Sequence, residues 1–297
     1  AKTEVTYGTD AVPTGAANAM QMTNVSFNPS VGQEENRDLV VPYMGHQGVM
    51  LTGTYGTLSG EVEIAGSGAA GTAPAYGPLL RACGLMEVAD AGVDVQYTPV
   101  SGLHETVSIY FNSDVIRHVL LGCRGTVTLQ LTPLRIPRFA FTFTGLVGTI
   151  TDAGLPTADL TDFIKPVPVS KANTTFSLHG HAGACEGITM DLANQIEPRF
   201  LIGHESIQQV DRQMTGSAIM EAVTLATKNW FAISEAGTLG TLAAVHGKDA
   251  GNIVEFEAPA VQIGRLNYGE TQKIINNTLP LMFTPVAGND EFKITVR

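Results

Sequence analysis

The 297-residue chain sets 17 Lys and Arg against 28 Asp and Glu for a net charge of −11, with 44% hydrophobic and only 15% charged residues. That balance excludes a disordered chain, and acidity unrelieved by any basic tract excludes a surface that grips nucleic acid by neutralising phosphates. Thirty-two Gly and 15 Pro favour short strands punctuated by turns over long helices.

In chain order, the arm Ala1–Met20 carries few strand signals, and its opening AKTEVTYG lacks the charged and apolar regions of a signal peptide. With no apolar run near the roughly 18 residues of a membrane helix, a soluble protein made in the cytoplasm is expected. A long loop, Asn28–Met50, leads to an alternating strand at Gly56–Ala65 and a short helix at Pro78–Cys83 closed by Gly84. His104–Leu121 reads as one hairpin turning at NSD, and Gly125–Leu131 and Arg138–Thr144 alternate as half-buried strands. Asp152–Asn173 is rich in Pro, Asp and Thr and reads as a linker. TTFSLHGHAGACEG then precedes a strand at Ile188, followed by a second long loop, Asn194–Met214. Ser217–Ala226 reads as a strand, and Lys228–Ala236 as a helix with Thr227 as N-cap and Gly237 as terminator. Asn252–Pro259, Thr278–Thr284 and Glu291–Arg297 close the chain as strands.

Gly66, Gly68 and Gly71 spell G-x-G-x-x-G after a strand, the spacing of a dinucleotide fingerprint. In that fold the glycines open the helix, so that its N–H groups meet the pyrophosphate. Here Pro74, Gly77 and Pro78 delay the helix, Asp90 sits in a turn-like DAGVD, and no second βαβ unit follows. The glycines read as a loop.

The order of elements repeats. LSGEVEIA (Leu58–Ala65) lies over IMEAVTLA (Ile219–Ala226), which places Ile219, Val223 and Leu225 inward beside Leu58, Val62 and Ile64. VQYTP (Val95–Pro99) matches VEFEAP (Val254–Pro259), FAFTFTGLVG (Phe139–Gly148) matches LPLMFTPVAG (Leu279–Gly288), and VSFNPSV matches ITMDLAN more weakly. In this alignment the second copy passes directly from strand to helix. A mainly β fold of two tandem units is expected, each running strand, long loop, strand, short helix, strands. Residues 1–155 form the first unit, 156–172 the linker and 173–297 the second unit.

Chemistry is sparse. His179 and His181 in HGH would share a strand face as half of a metal site, but further ligands are not evident. GHE (Gly203–Glu205) lacks the second histidine of a zinc-protease helix. Cys83, Cys123 and Cys185 are odd in number with no C-x-x-C, which suits buried hydrophobes. Trp230 and Phe231 read as core. No G-x-S-x-G elbow exists. Glu61 and Glu63 share one strand face, as do Glu255 and Glu257. The plain reading is a solvated sheet face, and the sharper one is the wall of a water-filled channel.

YGTDAVPTGAANAM (Tyr7–Met20), the RDLV…P loop (Arg37–Pro42), AGSGAAGTAPAYGPLLRACG (Ala65–Gly84), IPRFAFTFTG (Ile136–Gly145), LANQIEPR (Leu192–Arg199) and LATKNWF (Leu225–Phe231) together resemble the tail tube protein of long-tailed bacteriophages. The resemblance runs along nearly the whole chain and implies for each unit two packed antiparallel sheets with one flanking short helix, a β-sandwich or barrel related to the rings of contractile tails and type VI secretion tubes. It further implies rings that stack into a hollow tube through which DNA passes to the host, with no catalysis, cofactor or metal. The implied partners are other copies of the chain, the tape-measure protein and the terminator and tip proteins, in a virion tail assembled in the bacterial cytoplasm. Since single-unit relatives form sixfold rings, two units per chain imply a trimer, with a hexamer as the alternative. Glu61, Glu63, Glu255 and Glu257 are the lumen candidates, and the arm and both long loops are expected to be poorly ordered alone and to make ring-to-ring contacts. A non-contractile tail is expected. The competing readings are a secreted or surface β-sandwich binding protein and, less well supported, a nucleotide or metal enzyme.

Overall fold

A computed structural model describes all 297 residues, Ala1–Arg297. Strand occupies 51% of the chain and helix 5%, so the fold is mainly β, as the alternation indicates. The first half contains β1 (Lys2–Thr3), α1 (Gly15–Asn18), β2 (Thr23–Asn36), β3 (Val49–Glu63), α2 (Gly77–Ala82), β4 (Leu85–Asp90), β5 (Asp94–Pro99), β6 (Val107–Ser113), β7 (Ile116–Leu131), β8 (Arg138–Val147) and β9 (Thr151–Asp152). The second contains β10 (Thr174–Leu178), β11 (Cys185–Asp191), β12 (Asn194–Leu201), β13 (His204–Arg212), β14 (Thr215–Glu221), α3 (Trp230–Glu235), β15 (Leu239–His246), β16 (Val254–Ile263), β17 (Asn267–Thr271), β18 (Ile274–Phe283) and β19 (Lys293–Val296).

The pairings build two antiparallel layers. The front layer runs β2-β3-β8-β7-β11-β14-β18-β17. The back layer runs β4-β5-β19-β16-β15-β10, so the chain's last strand lies between one strand from each half. Long strands change partners along their length: the first part of β7 pairs with β6 where its last part pairs with β11, and the end of β16 pairs with β18, which joins the two layers. No barrel closes within one chain.

The alternation of FAFTFTG puts Phe139, Phe141 and Phe143 between the layers at 0 to 1% exposure. Phe139 meets Phe256 of the back layer edge-on at 6.2 Å, and Phe256 stacks on Phe292 at 6.3 Å. One continuous core spans both halves, and each fully buried ring contributes about 1.5 to 3 kcal/mol.

Several expectations are corrected by the structure. The stretches expected as loops at Asn28–Met50 and Asn194–Met214 are largely β-hairpin arms, β2 with β3 and β12 with β13. The outer part of the first arm is exposed on both faces and so lacks the alternation that marks a strand, while the second arm is only partly covered, with Ile207 at 0% exposure but Leu201 and Val210 left outside. The arm Ala1–Met20 is docked on its own chain. β1 pairs with β6, and the 8%-exposed Glu4 is held by Thr106, Ser108 and two backbone N–H groups. The cap of α3 is Asn229, whose side chain accepts from the Ala232 N–H at 3.0 Å, rather than Thr227. β14 ends at Glu221, so eight residues, Ala222–Asn229, separate it from α3 and the passage is not direct.

The repeat register also shifts. Ala218 and Met220 face the core, at 0% and 1% exposure, while Val223 and Leu225 lie outside at 36% and 61%. Glu63 pairs with Arg138 and Glu221 with Asn276, each at the end of its strand, so SGEVE (Ser59–Glu63) lies over SAIME (Ser217–Glu221). Val223 and Leu225 match Val62 and Ile64 in hydrophobicity but lie where the chain has left the sheet, which is why the sequence pattern alone sits out of register.

Candidate assembly face

The outward face of the front layer is built from the alternate residues of FAFTFTG and its neighbours, which are small and polar. One cross-strand row reads Glu63, Arg138, Gln130, Thr189, Ser217, Pro280. The next reads Glu61, Ala140, Thr128, Asp191, Thr215, Met282. Both rows cross from the first half of the chain to the second through the β7–β11 pairing without interruption. In these rows the small or β-branched Ala140, Thr128, Thr189, Thr215 and Ser217 stand among the longer Glu61, Glu63, Arg138, Gln130 and Met282.

The four acidic candidates do not share a face. Glu61 and Glu63 lie on the front layer, opposite the buried Val62 and Ile64, and Glu61 accepts from Arg138 at 2.9 Å. Glu255 and Glu257 lie on the back layer, opposite Phe256, which points into the same core; Glu257 pairs with Lys293 at 2.7 Å and Glu255 with Arg297. The two pairs therefore face opposite sides of the molecule. Sequence could establish that each pair shares a strand face, but not which layer that strand joins.

The remaining candidates are structural. His179 sits in a turn with φ of 50° rather than on a strand face with His181. Both rings meet Trp230 edge-on, at 6.4 and 5.7 Å. Burial pushes the His179 imidazole below its ordinary value, and its Nε2 faces the Val261 carbonyl at 2.8 Å. No group of three His, Cys, Asp or Glu side chains is spaced to hold a metal. Trp230 is buried as expected, but Phe231 is 41% exposed. His204 and Glu205 lie at an exposed hairpin tip. Burial raises all three thiols, Cys185 to about 11, so thiolate is scarce. The glycine motif is a loop fastened to the second half of the chain. The Gly66 N–H donates to the Asn252 side chain at 2.8 Å, the Gly68 N–H donates to the Gly251 carbonyl at 2.9 Å, and a β-carbon on Gly66 would overlap that carbonyl.

The front face is thus one continuous polar surface shared by both halves of the chain. The family model described as phage tail tube protein matches residues 1–283. The chain belongs to the phage tail tube protein family. No match to a curated protein sequence is found. The family assigns a structural role in the tail tube of a virion and implies a protein without enzymatic activity.

For a tail tube protein, the informative surfaces are those one copy leaves unfinished. In the front layer β2 pairs only with β3, and β17 only with β18, so both edges carry free backbone N–H and C=O groups. Around the tip joining β2 to β3, Val40, Tyr43 and Met44 are 105%, 71% and 102% exposed, and Ile202 at the tip of β12–β13 is 108% exposed. The second arm lies against the first half of the chain: Arg124 donates to the Ile207 carbonyl at 2.7 Å, and the Ile207 N–H donates to the Tyr7 hydroxyl at 2.6 Å. At the β17 edge, Tyr268 is 67% exposed and packs on Phe231 at 5.7 Å. Sequence reasoning passed over Tyr268 because NYGET has the composition of a turn.

Proposed function

We propose that copies of this chain join edge to edge into closed rings, and that the rings stack into the hollow tube through which phage DNA leaves for the host. Each chain is two tube units, 1–155 and 173–297 with the linker between them, and three chains close a ring of pseudo-sixfold symmetry. The observation that carries this reading is the β7–β11 pairing, which makes one uninterrupted sheet from the front strands of both halves and leaves an open edge at each end. A hexamer with its second half outside the wall would have no use for that joint.

The front face lines the lumen, with Glu61 and Glu63 among its residues and Asp191 in the next row. Glu255 and Glu257, on the opposite side, belong to the exterior. The one cation in these two rows, Arg138, is paired with Glu61 at 2.9 Å, so a lumen otherwise of hydroxyls, amides and carboxylates offers the passing duplex no ladder of phosphate contacts to brake it. The exposed β2–β3 tip and the Ile202 tip make ring-to-ring contacts. The tape-measure protein occupies the lumen before ejection, the terminator and tip proteins cap the stack, and the assembled tail is the non-contractile kind.

Negative-stain electron microscopy of the purified chain, with native mass measurement of dissociated rings, tests this. Hollow filaments and a three-chain ring are expected. A monodisperse globule would overturn the tube reading, and a six-chain ring would overturn the trimer.

A further inference from the structure

The joint inside one chain serves as a template for the joint between chains. The strand at the joint, β11, carries Ile188-Thr-Met-Asp191, and the free edge strand β2 carries Val25-Ser-Phe-Asn28. The two occupy equivalent places: Thr189 stands opposite Ser217 and Ser26 opposite Ser59, the first residues of the matching SAIME and SGEVE segments. On the other side of the joint, β7 is the hairpin partner of β8, as β17 is of β18. Gln130 pairs with Arg138 and Gly269 with Asn276, the residues that meet Glu63 and Glu221.

We propose that β17 of one copy adds antiparallel to β2 of the next, with Gly269 opposite Ser26, Tyr268 opposite Phe27 and Asn267 opposite Asn28. This repeats between chains the register in which Gln130 meets Thr189, Leu129 meets Met190 and Thr128 meets Asp191 within one. The inference rests on the ring reading above and adds to it the strands, their register and a shared core.

Two further observations support it. Leu129 and Met190 seal the internal joint at 3% and 1% exposure, whereas their counterpart Tyr268 is 67% exposed. Beside Phe27 runs an open groove of about 580 Å³, lined in part by Met22, Val25, Leu58, Ile109 and Phe111. Phe27 stacks at 4.5 Å on Phe111, one of the lining residues. Tyr268 entering from the neighbour would close the groove, as Leu129 closes the internal joint. Charge agrees as well. Glu270, two residues beyond Tyr268 on the same face, is exposed, while Arg117 in the groove has a buried Nε without a hydrogen-bond partner.

The test places cysteines at the paired positions, Asn28→Cys with Asn267→Cys, in a Cys185→Ser chain in which only the buried Cys83 and Cys123 remain. Mild oxidation of the assembled protein should give a ladder of covalent multimers ending at the ring number. Asn267→Cys with Gln33→Cys, far along β2, should give none. Tyr268→Asp should keep its circular dichroism and lose only the small share of its unfolding midpoint owed to packing on Phe231, because the side chain is 67% exposed in one copy, and should form no rings. Rings from the parent chain with no Asn28–Asn267 crosslink would overturn the register while leaving the ring reading intact. Normal rings from Tyr268→Asp would overturn the shared core. A parent chain that never assembles would overturn the ring reading, and the seam with it.

Discussion

Glu4→Gln is the sharpest test of the claim that the N-terminal arm is part of the fold rather than a free tether. The two carboxylate oxygens of Glu4 divide four donors evenly. Oε1 accepts from the Ser108 hydroxyl and the Gly122 N–H, both at 2.8 Å, and Oε2 from the Thr106 hydroxyl at 2.7 Å and the Gly8 N–H at 2.9 Å. Glutamine keeps the shape but replaces one oxygen by an NH₂ group. Whichever way the amide lies, that group faces a backbone N–H, which cannot rotate to accept as a hydroxyl can. One donor is orphaned at a cost of about 1 to 3 kcal/mol, and the surviving bonds lose their charge assistance. A loss of about 3 kcal/mol follows. With a urea slope of about 3 kcal/mol/M for a chain of this size, the midpoint read by circular dichroism on unassembled protein should fall by about 1 M. A midpoint within about 0.2 M of the parent would refute the reasoning and restore the arm as a loose segment. Deleting Ala1–Met20 should accordingly lower stability as well as assembly.

Other consequences follow from single contacts. Asn229→Ala removes the cap of α3 and should cost about 1 kcal/mol by urea unfolding, whereas Thr227→Ala should cost less than half of that. Gly66→Ala drives a β-carbon into the Gly251 carbonyl and should destabilise the chain by about 2 kcal/mol or more, with weakened hydrogen-exchange protection at Gly68. Burial lowers the folded values of His104, His179 and His246. Below the ordinary histidine value of about 6.5 the unfolded chain therefore binds more protons than the folded one. Stability should be full above that pH and decline as pH falls through the depressed folded values, and His246→Gln should flatten the slope of thermal midpoint against pH.

Much of the fold could be read from residue order alone. FAFTFTG alternates because one face is core and the other is not, and a pleated strand enforces that period whatever lies beyond it. The closing glycine of α2 and the turn at NSD are likewise local. β12 and β13 could not be read, because they are only partly covered by the first half of the chain: Ile207 is buried while Leu201, Ile202 and Val210 stay exposed, and no clean hydrophobic alternation results. β15 was missed because LGTLAAVH packs small residues that look like a turn region. The pairing of Glu61 with Glu63, and of Glu255 with Glu257, follows from strand periodicity, but whether the pairs look the same way depends on layer assignment. Only the folded chain could put β19 between β5 and β16, or bring β7 to β11 and leave β2 and β17 bare. Hydrogen-bond partners distant in sequence are chosen by which edges remain after every local hairpin has closed, and that choice belongs to the assembled sheet rather than to any segment of it.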